Sequence, residues 1–88
     1  VKIEVGDFTF AVQDKMVYPL TECCEASAKG SEGGIVCRRC YRAIDDLLGM
    51  GWTWDDPELV NGLKVWFDLL PEEIAEVMAA IEKERAAA

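Results

Sequence analysis

The chain has 88 residues, with 17 acidic against 9 basic side chains, no histidine and a formal net charge of −8. That length holds one domain with a modest core, no apolar run reaches the ~20 residues that cross a bilayer as a helix, and the acid excess repels nucleic acid and anionic membranes wherever charge is not segregated. Without histidine the chain lacks the commonest base near neutral pH, so no enzyme and no catalytic residue is expected.

The N-terminus alternates: Ile3 and Val5, then Gly6-Asp7, then Phe8, Phe10 and Val12. This predicts two short strands joined by a two-residue turn, with one face apolar. Met16, Val17 and Tyr18 suggest a third strand, which Pro19 interrupts because it has no amide to donate. Thr21-Glu22-Cys23-Cys24 then enters a turn, Glu25 to Gly34 reads as a glycine- and serine-rich loop, and Ile35-Val36 forms a short strand leading into Cys37.

The cysteines stand as Cys23-Cys24 and Cys37-Arg38-Arg39-Cys40. A Cys-x-x-Cys pair lets two thiolates reach one tetrahedral ion from a single turn, and structural zinc takes four such ligands. Cys23, Cys24, Cys37 and Cys40 are therefore the candidate zinc ligands. Tyr41, Ile44, Leu47 and Leu48 recur at helical spacing, which predicts a helix after Cys40 whose N-terminus favours thiolates. Adjacent cysteines diverge in an extended chain, so Cys23 and Cys24 share an ion only if the backbone turns between them. Disulfides, a site in which one of Cys23 or Cys24 packs while Glu22 or Glu25 completes the shell, and a redox pair at Cys37 and Cys40 stay open as alternatives. Zinc supplies ~10 kcal/mol or more of folding free energy to small domains, so one ion per chain and unfolding on chelation are expected.

The order of turn, short strand and expected helix with the second cysteine pair resembles a treble-clef zinc finger over Tyr18 to Leu48. Thr21-Glu22-Cys23-Cys24-Glu25-Ala26-Ser27-Ala28-Lys29-Gly30 with Cys37-Arg38-Arg39-Cys40-Tyr41-Arg42 also resembles short Cys-rich proteins of actinobacteria and their phages. The first resemblance implies a four-cysteine zinc site on an α+β scaffold. The second implies a habitat and no activity.

Gly49-Met50-Gly51-Trp52-Thr53-Trp54 is a glycine-punctuated break. Asp56 is placed to cap a helix whose first position suits Pro57, and Leu59, Leu63, Trp66 and Leu70 fall on one stripe. Pro71 ends that helix and opens another, with Glu72 and Glu73 in its first turn and Ile74, Val77, Met78 and Ile81 on its apolar stripe. Ala86-Ala87-Ala88 is expected to fray.

The expected architecture is a single α+β domain, residues 1–48 carrying the hairpin and zinc site and residues 49–88 the helices. Its expected role is a non-catalytic protein-binding or regulatory factor that meets a protein partner or a second copy through Trp52, Trp54, Trp66 and Phe67, since tryptophan is enriched at binding hot spots, while packing over the protein's own core stays open as the simpler place for each tryptophan. A host protein with a basic rim would match the acids. One alternative is an acidic nucleic-acid mimic built on Asp45, Asp46, Asp55, Asp56, Glu58, Asp68, Glu72, Glu73 and Glu76. Another is a weak nucleic-acid contact through Lys29, Arg38, Arg39 and Arg42, although those bases are more simply explained as offsetting thiolate charge. No membrane partner and no measurable nucleic-acid affinity are expected. With no apolar signal segment in the sequence the expected compartment is the cytoplasm, that of the host if a phage encodes the protein.

Overall fold

A computed structural model describes residues 1–87. Strands β1 (Lys2–Val5), β2 (Phe8–Gln13) and β3 (Met16–Pro19) form an antiparallel meander. The β1–β2 turn is the expected Gly6-Asp7 pair, with Val5 facing Phe8 and Gly6 at φ 59, a conformation glycine adopts without penalty. Asp14 and Lys15, both at positive φ (53 and 66), make the β2–β3 turn, the mirror-image type that suits strand twist. Pro19 still lies in register opposite Phe10. It ends β3, and the ladder continues for one bond from the Leu20 amide to the Thr9 carbonyl at 2.8 Å.

Strands β4 (Ala28–Ser31) and β5 (Gly34–Cys37) pair in a second, two-stranded sheet. The loop expected over Glu25 to Gly34 is thus half strand, because Ala28 to Ser31 find backbone partners in β5 that composition alone does not reveal. The helix expected after Cys40 does not form. Tyr41 sits at φ 60 and the chain folds back along β5 through a Val36–Ala43 bridge, leaving only the 3-10 turn Asp46–Gly49, capped by the Asp45 carboxylate accepting from the Leu47 amide at 2.9 Å. The treble-clef layout is corrected in this one element, while the α+β class, antiparallel N-terminal strands, cysteine cluster and C-terminal helices stand as expected.

The break at Trp52 is also put to use. β6 (Trp52–Thr53) pairs with β3, giving the sheet order β1-β2-β3-β6. The helix starts later than Asp56 and Pro57 suggest: Glu58 is the cap of α1 (Leu59–Trp66) and makes no side-chain capping bond, while Asp56 accepts from the Glu58 amide at 2.8 Å in the turn ahead of it. That helix stops at Trp66, where Phe67 caps it, Asp68 turns left-handed at φ 53 and the Leu69 amide reaches back to the Leu63 carbonyl at 3.3 Å. The stripe accordingly continues from Leu59 and Leu63 to Phe67 and Leu69, and Trp66 and Leu70 point outward. Helix α2 (Pro71–Ala87) opens at Pro71 as expected, takes in Ala86 and Ala87, and leaves Ala88 outside the described residues.

The core is Val5, Phe10, Val12, Val17, Trp52, Leu59, Leu63, Phe67, Leu69, Val77 and Ile81, with Ile74 and Met78 packed against it. Phe67 is its hub: its ring meets Phe8, Phe10 and Trp52 at centroid distances of 4.9, 5.1 and 6.0 Å, each edge-on, an arrangement that aromatic quadrupoles favour. No helix of the described residues is long and apolar enough to cross a membrane.

Candidate metal centre

Two turns bring the cysteines together at one end of the β4–β5 sheet. In the first, the Glu25 amide donates to the Thr21 carbonyl and the Thr21 amide to the Ala26 carbonyl, both at 2.8 Å, with Glu25 at φ 48. This tight closure supplies the bend that adjacent cysteines require, and both Cys23 and Cys24 join the cluster. In the second, Cys37 ends β5 and Cys40 follows on the turn closed by Tyr41. The Sγ atoms of Cys23, Cys24, Cys37 and Cys40 all lie within 4.8 Å of one another. Sulfurs at the corners of a zinc tetrahedron stand about 3.8 Å apart when each Zn–S bond is near 2.3 Å, so the donor set and its spacing fit one such ion. All four cysteines are free thiols. Four soft sulfur donors in tetrahedral reach are the chemistry of zinc or a single iron rather than of a hard cation.

The site is asymmetric. Cys37 is fully buried, Cys24 intermediate, and Cys23 and Cys40 are exposed with their sulfurs 3.4 Å apart. A hollow of about 420 Å³ opens on the exposed side, lined by Glu22, Cys23, Arg42, Ile44, Asp45 and Leu48 among others. The Thr21 hydroxyl, 3.3 Å from Cys37 Sγ, together with the backbone amides of Cys40 and Arg39, lowers the Cys37 thiol from its ordinary 9.0 to about 6. Desolvation, then hydrogen bonds with the Cys40 and Cys23 thiols, pushes Cys24 up to about 12. Cys37 thus favours the thiolate, while Cys24 favours the thiol, whose proton a bound metal would displace. Exposed Arg38, Arg39 and Arg42 stand on or beside the second turn, where they would offset the net −2 of four thiolates around a divalent ion. Lys29 instead lies over the Tyr41 ring at 4.8 Å.

The residues expected at a partner surface divide. Trp52 (8% exposed) and Phe67 (4%) are core, because the sheet supplies the cover that the sequence left unassigned. Trp54 is half-buried, with the Arg85 guanidinium 5.7 Å from its ring centroid and donating to its carbonyl at 3.0 Å. Trp66 alone of the four is largely exposed, at 58%, and it walls a cleft with Leu47, Met50, Asp45 and Asp46. Sequence reasoning passed over Thr21, although Thr21 and Cys24 share the spacing of Cys37 and Cys40.

No protein-family model and no solved structure matches the chain. Among curated proteins, ribose-5-phosphate isomerase A of Aeropyrum pernix is 36% identical over 44 residues, half of this chain. The aligned span is 19% of that enzyme's length and defines no family. None of these findings supports the resemblance to actinobacterial and phage proteins.

Proposed function

We propose that the chain is a zinc-stabilised, non-catalytic domain that binds a protein partner through its helical half. The observation that carries the zinc reading is the cluster of all four cysteine sulfurs within 4.8 Å. Four thiolates close the coordination sphere and leave no position for an activated water, which supports a structural role for the ion.

The hydrophobic core draws no member from residues 21 to 46. The segment with both cysteine turns and the β4–β5 sheet therefore leans on the metal, while the sheet and helices have packing of their own. This refines the expectation of wholesale unfolding on chelation. Protein purified without added metal should hold one zinc per chain by elemental analysis. A chelator should then abolish amide-exchange protection across β4 and β5 and leave that of β2 and α2 in place. A metal-free sample with β4 and β5 still protected would overturn the reading.

Partner binding is supported by Val65, Trp66 and Leu70, which are 60%, 58% and 55% exposed. The cleft beside Trp66 is apolar at Leu47 and Met50 and acidic at Asp45 and Asp46, a combination suited to a protein segment with a basic side chain flanked by apolar ones. Replacing Trp66 with serine should abolish association with the partner, or self-association if a second copy fills the cleft, in sedimentation and co-purification experiments. Unchanged association would remove this surface.

A further inference from the structure

The two cysteine turns are built on one plan. In the second, the Cys37 amide donates to the Arg42 carbonyl and the Tyr41 amide returns to the Cys37 carbonyl, both at 2.9 Å, with Tyr41 left-handed at φ 60. The first repeats each feature: the Thr21 amide to the Ala26 carbonyl and the Glu25 amide to the Thr21 carbonyl, both at 2.8 Å, with Glu25 at φ 48. Aligned by these bonds, Cys24 corresponds to Cys40, Thr21 to Cys37, and Cys23 to the exposed Arg39. The position that carries the first ligand in one turn thus holds a threonine in the other.

Thr21 is the buried polar side chain among the described residues, 1% exposed. Its Oγ1 accepts from the Ala26 amide at 3.2 Å and lies 3.3 Å from Cys37 Sγ. A hydroxyl has one proton and two lone pairs. With a lone pair committed to Ala26, its proton is free to point at the sulfur.

We propose that the centre is a paired-turn site in which one ligand has moved. Thr21 keeps the inner ligand position and donates its hydroxyl proton to the Cys37 thiolate, while Cys23, two residues on, supplies the fourth sulfur from the solvent side. This rests on the metal assignment above and extends it: the metal is held by three sulfurs at regular turn positions, Cys24, Cys37 and Cys40, and by a fourth from the irregular position of Cys23, beside the hollow that Glu22 and Arg42 line. Thr21 is a positioning residue, since it acts through Cys37.

The test is cobalt(II) titration with zinc back-competition, read from the thiolate-to-cobalt absorption of a tetrahedral sulfur site, with core tryptophan emission as the control for folding. Cys23→Ser should weaken metal binding by ~100-fold or more, beyond the ~10–100-fold typical of losing a group that only hydrogen-bonds to a ligand. Adding Thr21→Cys to that variant restores Cys-x-x-Cys spacing to the first turn and should bring affinity back to within ~10-fold of the unmodified chain. Thr21→Val, with all four cysteines kept, should weaken binding by ~10–100-fold and shift the absorption band. If the double variant binds no better than Cys23→Ser, or Cys23→Ser binds as tightly as the unmodified chain, the ligand shift is wrong. An unchanged band and affinity in Thr21→Val would overturn the donor role. Should the unmodified chain itself fail to bind cobalt or zinc, the metal assignment falls instead.

Discussion

Replacing Gly62 with alanine sets two effects of opposite sign against each other, and the structure decides which wins. In an isolated helix the change stabilises by ~1 kcal/mol, because glycine gives up the most backbone freedom. Here Gly62 is one of three buried residues of α1, and a Cβ on it would stand 2.8 Å from Trp52 Cε2 and 3.1 Å from Nε1. Neither side yields easily: the indole is 8% exposed and edge-on to Phe67, and its backbone is paired to β3. Overpacking of this kind costs ~1–3 kcal/mol, and overlap with a ring held in the core belongs in the upper part of that range. The expected net effect is a destabilisation of ~1–2 kcal/mol, or roughly 4–16 °C in Tm for a chain of this size. Urea and thermal melts of metal-loaded protein measure it. Trp52→Phe in the same background makes room for the methyl, so the double variant should be more stable than the two single losses sum to. A Gly62→Ala protein as stable as the original, or more so, would show that α1 does not press on Trp52 as described.

Phe67→Ser should cost at least ~3–5 kcal/mol, the range for deleting a core ring, and unfold the helical half in near-ultraviolet circular dichroism, whereas Trp66→Ser should stay within ~0.5 kcal/mol of the original because its ring is exposed. Equal stability of the two variants would contradict the assigned burial. Asp56→Ala removes the acceptor of the Glu58 amide in the turn ahead of α1 and should cost ~1 kcal/mol by chemical denaturation, the worth of one hydrogen bond. Zinc affinity should rise with pH: protons compete with the metal for sulfur, Cys24, pushed up to about 12, must still release its proton at neutrality, and below about 6 Cys37 takes one up as well. Calorimetry in buffers of different ionisation enthalpy should therefore detect proton release on zinc binding at pH 7, and its absence would refute the protonated state given to Cys24.

The elements the sequence determined are those set by short-range rules. Alternation and Gly6-Asp7 specified the first hairpin, Pro71 opened the second helix, the spacing of Ile74, Val77, Met78 and Ile81 marked the buried face of α2, and four cysteines without histidine announced a sulfur cluster. Helical spacing failed after Cys40 because the turn must close on the Arg42 carbonyl, and that closure places Tyr41 in a conformation no helix continues. It failed again at Trp66, where a left-handed Asp68 redirects the chain and hands the stripe to Phe67 and Leu69. Which tryptophan is core and which is surface depended on β6 joining β3, a pairing of segments more than thirty residues apart that local composition does not encode. The same holds at the metal centre. The chain named its four sulfurs, but only the folded turns show that Thr21 stands where a ligand would and that Cys23 reaches the cluster from outside, because equivalence between the turns lies in backbone hydrogen bonds rather than in residue type.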